Sequence, residues 1–239
     1  MKSFVSTPFL RRIRRLFPVL IVAALTPGIA PGAYAGGVAL GATRVIYPQG
    51  DKQTSLPVSN SSASNVFLIQ SWVANADGSR SGDFIITPPL FVLSPQKENV
   101  LRIMYVGPTL PGDRESVFFL NSKAIPSVDK RKLQGNTLQI ATQSVIKLFV
   151  RPKNLPTPST AAPASLRCDR QAGKITVNNP SPYYVSLVEL RVGSSKLANT
   201  MVAPMASLTL NTAGKSGKFT FQTVNDFGAN TPVQSCKGA

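Results

Sequence analysis

Lys147 stands in an apolar run between Ile146 and Leu148, with Val145 and Phe149 on its own side of an alternating pattern. A lysine in that setting either snorkels to water or meets an anion. The chemistry on offer is therefore anion binding rather than bond making. The rest of the chain supports that division. It has no histidine, which removes Ser-His-Asp and Cys-His catalysis and histidine metal sites. Its ten Asp and Glu are scattered, with no close acid/base constellation. No glycine-rich phosphate cradle is present. No catalytic residue, metal or cofactor is expected, and a secreted hydrolase is a weak reading. A plainer account of Lys147 stays open: an edge strand can carry a lysine simply to discourage aggregation.

The element that must position Lys147 is residues 136–151, read as one long alternating strand that ends at Arg151 and is closed by Pro152. Leu138, Ile140, Thr142, Ser144, Ile146 and Leu148 fall on one face. Gln139, Ala141, Gln143, Val145, Lys147 and Phe149 fall on the other. Beta-branched and aromatic residues dominate its second half, as strands prefer.

Residues 1–35 read as a cleaved secretory signal. Lys2, Arg11, Arg12, Arg14 and Arg15 precede a short apolar run at 16–25, and Ala33-Tyr34-Ala35 offers a small-x-small cleavage site before Gly36. The alternative is an uncleaved anchor, for which the run is short. No later stretch suits a membrane helix, so no stable membrane insertion is expected. The first 35 residues hold five of the 26 basic residues and no acid, which leaves 21 bases against ten acids. Export and the scatter of these bases argue against nucleic acid. The densest cluster, Lys130-Arg131-Lys132 beside Asp129, reads as a solvated loop, and no aromatic-rich basic motif accompanies it. A basic surface suits acidic partners or membrane headgroups. In an oxidising compartment Cys168 and Cys236 read as one disulfide, with two free buried thiols as the alternative.

After Gly36 the chain breaks into short apolar runs separated by Gly, Pro, Asn and Ser. Strands are expected at 38–47, 54–59, 66–74, 84–86, 90–93, 99–105 and 116–121, followed by the long one. That spacing implies an all-β sandwich over residues 36–152. Trp72, the single tryptophan, is expected in its core. Residues 153–163 form a proline-rich linker, with Pro156, Pro158 and Pro163. A second, smaller sandwich over 164–239 is expected from strands at 164–168, 174–178, 183–192, 206–210, 218–225 and 231–236.

Several motifs narrow the reading. Asp113-Arg114-Glu115-Ser116-Val117-Phe118-Phe119-Leu120-Asn121 is followed by Ala124-Ile125-Pro126, then by Ile146-Lys147-Leu148-Phe149-Val150-Arg151-Pro152. Asn179-Pro180-Ser181-Pro182-Tyr183-Tyr184, Val224-Asn225-Asp226-Phe227-Gly228 and the turn Thr87-Pro88-Pro89 complete the set. In this order the chain resembles the periplasmic chaperones of chaperone–usher pilus assembly, the P-pilus and type 1 pilus chaperone family, over nearly its whole length after Gly36.

The resemblance implies two tandem immunoglobulin-like β-sandwiches in an L shape, with a cleft between them. Arg44 and Lys147 match the cations that bind the C-terminal carboxylate of a pilus subunit in that cleft; Arg44 could otherwise be an unpartnered surface residue. Leu138, Ile140 and Thr142 match the donor residues that complete a subunit lacking its last strand, a form of β-augmentation. Thr142 departs from the larger apolar residue usual there, and these three could instead pack inside their own domain. Glu115, Arg151 and Asp226 match an interdomain salt-bridge network, the alternative being three unrelated charges. The short segment 127–135 resembles that of the subclass serving rod-like, adhesin-tipped pili. The implied function is a non-enzymatic chaperone in the periplasm of a Gram-negative bacterium. It folds subunits by donor-strand complementation and delivers them to an outer-membrane usher. The competing class is a structural or adhesive pilus-subunit-like protein, which usually has one domain and a donor extension.

Overall fold

Period-two patterning builds two sandwiches, each with its own core. The computed structural model describes residues 36–127 and 138–236. The signal at 1–35, the basic cluster at 130–132 and the start of the long strand at 136–137 lie outside the described residues.

The first sandwich contains β1 (Val38–Leu40), β2 (Arg44–Pro48), β3 (Thr54–Asn60), β4 (Phe67–Ala74), β5 (Phe84–Thr87), β6 (Leu90–Leu93), β7 (Glu98–Tyr105), β8 (Ser116–Pro126) and β9 (Thr142–Arg151). One sheet runs β1-β3-β7-β5 and the other β2-β9-β8-β4-β6. Alternation decides what faces inward. Leu56 and Val58 of β3, Leu101 and Ile103 of β7, Leu120 of β8 and Leu148 and Val150 of β9 meet in one buried cluster. The second sandwich contains β10 (Arg167–Gln171), β11 (Lys174–Asn179), β12 (Val185–Val192), β13 (Ser195–Lys196), β14 (Thr200–Val202), β15 (Ala206–Asn211), β16 (Phe219–Thr223) and β17 (Gln234–Ser235). Its sheets run β10-β11-β15 and β13-β12-β16-β17, with β14 also on β12. Ile175, Val177, Leu187, Leu190, Phe219 and Phe221 are central to its core. Cys168 and Cys236 are joined by a disulfide. The two sandwiches together form one compact unit. Among the described residues no helix is long and apolar enough to cross a membrane.

Several elements differ from the sequence reading. The expected strand at 38–47 breaks in two and changes sheet. β1 pairs antiparallel with β3, while β2 pairs parallel with β9. At the break, a Cβ added to Gly41 would stand 3.1 Å from the Pro57 side chain, so the chain crosses between sheets where side chains have little room. The long strand starts at Thr142 rather than 136. Its last partner on β8 is Ala124, two residues before Pro126 ends that strand. Residues 138–141 carry no ladder, and the Gln139 side chain ties them back to β8, Nε2 donating to Pro126 O at 2.6 Å. In the second sandwich the expected strand at 164–168 moves to β10, because residues Ala162–Ser165 form a helical turn. That turn and Leu155 pack against the second core, so part of the proline-rich segment belongs to it. The short β13 and β14 carry too few residues to show a period.

Trp72 is a correction of a different kind. Ile69, Ser71 and Val73 of β4 are buried, which turns Trp72 to the outer face, half-buried. Alternation overrides residue size here. The aromatic core is instead Phe84, packed edge-on against Phe118 at 4.8 Å and Tyr105 at 5.0 Å between ring centroids. Phe84→Ala is therefore expected to lower stability by about 3–5 kcal/mol. Trp72→Ala should cost about 1 kcal/mol. Urea unfolding of both variants measures the difference, and equal losses would return Trp72 to the core.

Candidate anion-binding site

The site is a consequence of strand register. β2 runs parallel to β9 with Arg44 opposite Lys147, Ile46 opposite Phe149 and Pro48 opposite Arg151. The intervening residues Val45, Tyr47, Leu148 and Val150 enter the first core. Arg44, Lys147, Phe149 and Arg151 consequently share the opposite face, which meets the second sandwich. Phe149 is only 2% exposed and packs on Tyr184, 5.7 Å between centroids. This explains how charged and aromatic residues on the outer face of a sheet come to be buried.

Arg151 joins the two sandwiches. Its Nε donates to Glu115 Oε1 at 2.6 Å, and its two terminal nitrogens donate to both Asp226 oxygens at 2.7 Å. The guanidinium lies 5.1 Å from the Tyr183 ring centroid. Glu115, 3% exposed, also accepts the Tyr184 N–H at 2.8 Å, and Asp226 accepts from Ser159 Oγ at 2.9 Å. Burial pushes the Glu115 carboxyl above the usual glutamate range, with Arg151 opposing it. The bond to Arg151 holds Asp226 below the usual aspartate range. Burial works against the Arg151 cation, but its bonds to Asp226 and Glu115 outweigh that and raise its pKa. The structure thus brings together three charges that lie 111 residues apart at the extremes.

Arg44 and Lys147 reach the second sandwich too, at different points. Arg44 Nη1 donates to Val224 O at 3.0 Å, and Lys147 Nζ donates to Ser186 Oγ at 2.9 Å. Lys147 thus meets a neutral hydroxyl, a third outcome beside water and an anion. Ser186 is buried, and its backbone oxygen accepts the Val224 N–H at 3.2 Å, so one backbone link ties the two anchoring points together. Arg44 Nε is buried and has no hydrogen-bond partner among the described residues. Burial lowers the Arg44 pKa, against the pull of Asp226 and Glu115. Burial, then repulsion from Arg44, lowers that of Lys147. Two half-buried cations on register-paired positions can share one carboxylate through charge-assisted bonds.

Beyond this pair β9 is open. β2 covers it only from Lys147 to Arg151. Residues 142–146 have β8 on one side and, among the described residues, no strand on the other. Leu138 and Ile140, just before, are 83% and 66% exposed, and Thr142 is also exposed. They do not join the first core. A cavity of about 210 Å3 lies on the Arg44 side of the site, walled by Phe149, Tyr184, Val224, Asp226 and Phe227 among others. Ser186, Ser159 and the Tyr184 N–H have no sequence signal as partners. Ser186 meets the Lys147 cation and the Tyr184 N–H meets the Glu115 carboxylate, both across the two domains, while Ser159 meets the Asp226 carboxylate.

Residues 37–156 match the family described as pili and flagellar-assembly chaperone, PapD N-terminal domain, and residues 161–235 match pili assembly chaperone PapD, C-terminal domain. The chain is 51% identical over 204 residues to the probable fimbrial chaperone protein ElfD of Escherichia coli strain K12, covering 84% of this chain and 87% of that one. It is similar to the solved structure of the periplasmic chaperone SfaE, with 44% identity and a TM-score of 0.74 over 84% of this chain and 100% of that one. It is also similar to the SafB chaperone solved in complex with Salmonella enterica SafA pilin, with 33% identity and a TM-score of 0.74 over 82% and 94% of the two chains.

The charge joint has a pH signature. The depressed Asp226 carboxyl contributes stability that is fully present above its unfolded value of about 3.8 and is lost as pH falls through the folded value below it. Asp226→Asn is expected to cost about 2 kcal/mol at neutral pH, discounted for the partial exposure of the aspartate. The gap between wild type and variant should close below about pH 3.8. Comparing the two proteins separates Asp226 from Glu115, whose shift runs the other way. Chemical denaturation from pH 2 to 7 measures it, and a gap that stays constant across that range overturns the assignment.

Proposed function

This chain belongs to the PapD family of pilus-assembly chaperones, and on that premise we propose that it captures pilus subunits in the periplasm, completes their fold with its own β9 edge and passes them to an outer-membrane usher. The role is non-enzymatic; the driving energy is that of subunit folding and strand exchange. Both halves of the chain match chaperone domains, so a pilus-subunit-like identity has no observation in its favour.

The observation that carries this reading is where the open edge stops. Among the described residues β9 is unpaired on one side up to Ile146, and at Lys147 that side closes with Arg44 alongside. A strand added to the open edge must end there. If its terminal carboxylate sits on Arg44 and Lys147, the added strand enters near residue 138 and runs in the same direction as β9. Such a parallel ladder fixes register by main-chain bonds, and alternate side chains of β9 and of the segment just before it enter the partner's groove. Leu138, Ile140 and Thr142 supply those side chains. The first two are apolar and exposed. Thr142 is shorter and carries a hydroxyl, so it fills its position less completely and biases the chaperone toward subunits with a shallow pocket there.

Co-expression with a pilus subunit tests the proposal. Lys147→Ala is expected to lose subunit capture, because removing one member of a desolvated ion pair costs about 2–5 kcal/mol. Circular dichroism should show the variant folded. Recovery of subunit at the wild-type yield would overturn the anchor.

The donor residues have their own test. Leu138→Asp with Ile140→Asp should leave the thermal melt of the free protein unchanged, since both side chains already face water. The same double variant should lose the subunit complex. A collapse of its melting temperature would place these residues in the chaperone's own core instead.

A further inference from the structure

Phe227 is 93% exposed, more than any other large apolar side chain of the described residues. Single exposed apolar residues are ordinary on protein surfaces. Phe227 differs in how firmly its backbone is held. Asn225 Oδ1 accepts the N–H groups of both Phe227 and Ala229 at 3.0 Å, and Gly228 N donates to Asn225 O at 3.0 Å. The preceding Asp226 is clamped to Arg151. Gly228 has φ +86°, and a Cβ there would stand 2.1 Å from Thr43 Oγ1. The loop is therefore pressed against the side chain of the residue before Arg44, and its left-handed backbone at Gly228 favours glycine.

The same loop supplies Val224 O to Arg44. Arg44 and Phe227 line one cavity, with Phe149, Tyr184 and Val224 among its other apolar walls. Glu115 and Asp226 also border it, but both are engaged by Arg151. We propose that Phe227 and this cavity form the pocket for the side chain of the last residue of the captured chain, and that they favour an apolar residue there. The inference rests on capture of the terminal carboxylate by Arg44 and Lys147. A residue whose carboxylate touches Arg44 has its Cβ two bonds from the carboxylate carbon, at the mouth of the cavity that Arg44 lines. Rigid aromatic presentation lowers the entropic cost of such a contact. An acidic last residue would have to bury a second charge against these apolar walls with both bordering arginines already bonded, which disfavours it.

The test uses the purified full-length protein and synthetic peptides of alternating apolar sequence that differ only in the last residue, Leu, Ala or Asp, with an amidated Leu peptide as control. Wild type is expected to bind the Leu-ended peptide roughly tenfold more tightly than the Ala-ended one, the effect of burying one aliphatic side chain. The Asp-ended peptide should bind most weakly. In Phe227→Ala the Leu-to-Ala ratio should fall to about one, and Phe227→Tyr should restore it. A ratio that survives in Phe227→Ala overturns the pocket. A wild-type ratio near one, with the free acid still preferred over the amide, overturns the pocket and leaves carboxylate capture standing. Equal binding of acid and amide by wild type overturns both.

Discussion

One guanidinium decides whether this molecule has a cleft at all. Arg151 leaves β9 on the first sandwich and binds a carboxylate just before β8 and another on the loop after β16 of the second. Its five N–H donors suit that task, because a planar fork can hold one acid side-on and another end-on. Glu115 then reaches on to the Tyr184 backbone, and Asp226 to Ser159. Each carboxylate is thus fixed at both oxygens, and the relative placement of the sandwiches is specified by direction as well as by distance. Removing any member would strand a buried charge, so the arrangement tolerates no partial version.

The second requirement is the parallel pairing of β2 with β9. An antiparallel edge strand could also have closed the sheet, but the chain enters from β1 in the other sheet and crosses at Gly41. The crossing sets Arg44 opposite Lys147 and stops β2 from extending along residues 142–146. One topological event therefore does two things. It places the cations side by side, and it leaves the edge next to them unfilled. Exposed edges invite unwanted pairing, and here the exposed part ends at a charged stop.

Much of this was legible in the sequence wherever a local period carried it. The faces of β9, the strand-rich halves and the two cysteines follow from alternation, composition and export. The three charges of the joint were legible only through motif resemblance, because residues at 115, 151 and 226 have no local relation. What the sequence did not carry has a physical cause in each case. The break within 38–47 depends on which sheet each half joins, and both halves are equally strand-like. Trp72 is large enough to suggest a core, but its place in the alternation of β4 sends it outward. Leu138 and Ile140 keep the strand period, yet strand structure needs a neighbour to bond, and the pairing with β8 stops at Thr142, just before β8 closes on Pro126. Ser186 is a small residue within a buried strand, and nothing in its type announces a bond to a lysine across a domain boundary.

The charges around the cleft also explain why it stays receptive. Among the described residues, the carboxylates near Arg44, Lys147 and Arg151 are Glu115 and Asp226. Arg151 bonds both at short range, and they pull on Arg44 without bonding it. Arg44 and Lys147 are left with a backbone carbonyl and a hydroxyl. These bonds hold the side chains in position but do not cancel charge, and Arg44 further depresses the Lys147 pKa. An intervening anion would turn that repulsion into two attractions in a setting partly shielded from water. The joint thus does more than hold the domains together. By bonding the nearby acids it leaves Arg44 and Lys147 half-buried beside the open stretch of β9 with only neutral hydrogen-bond partners, where an added anion would be held more strongly than in solvent.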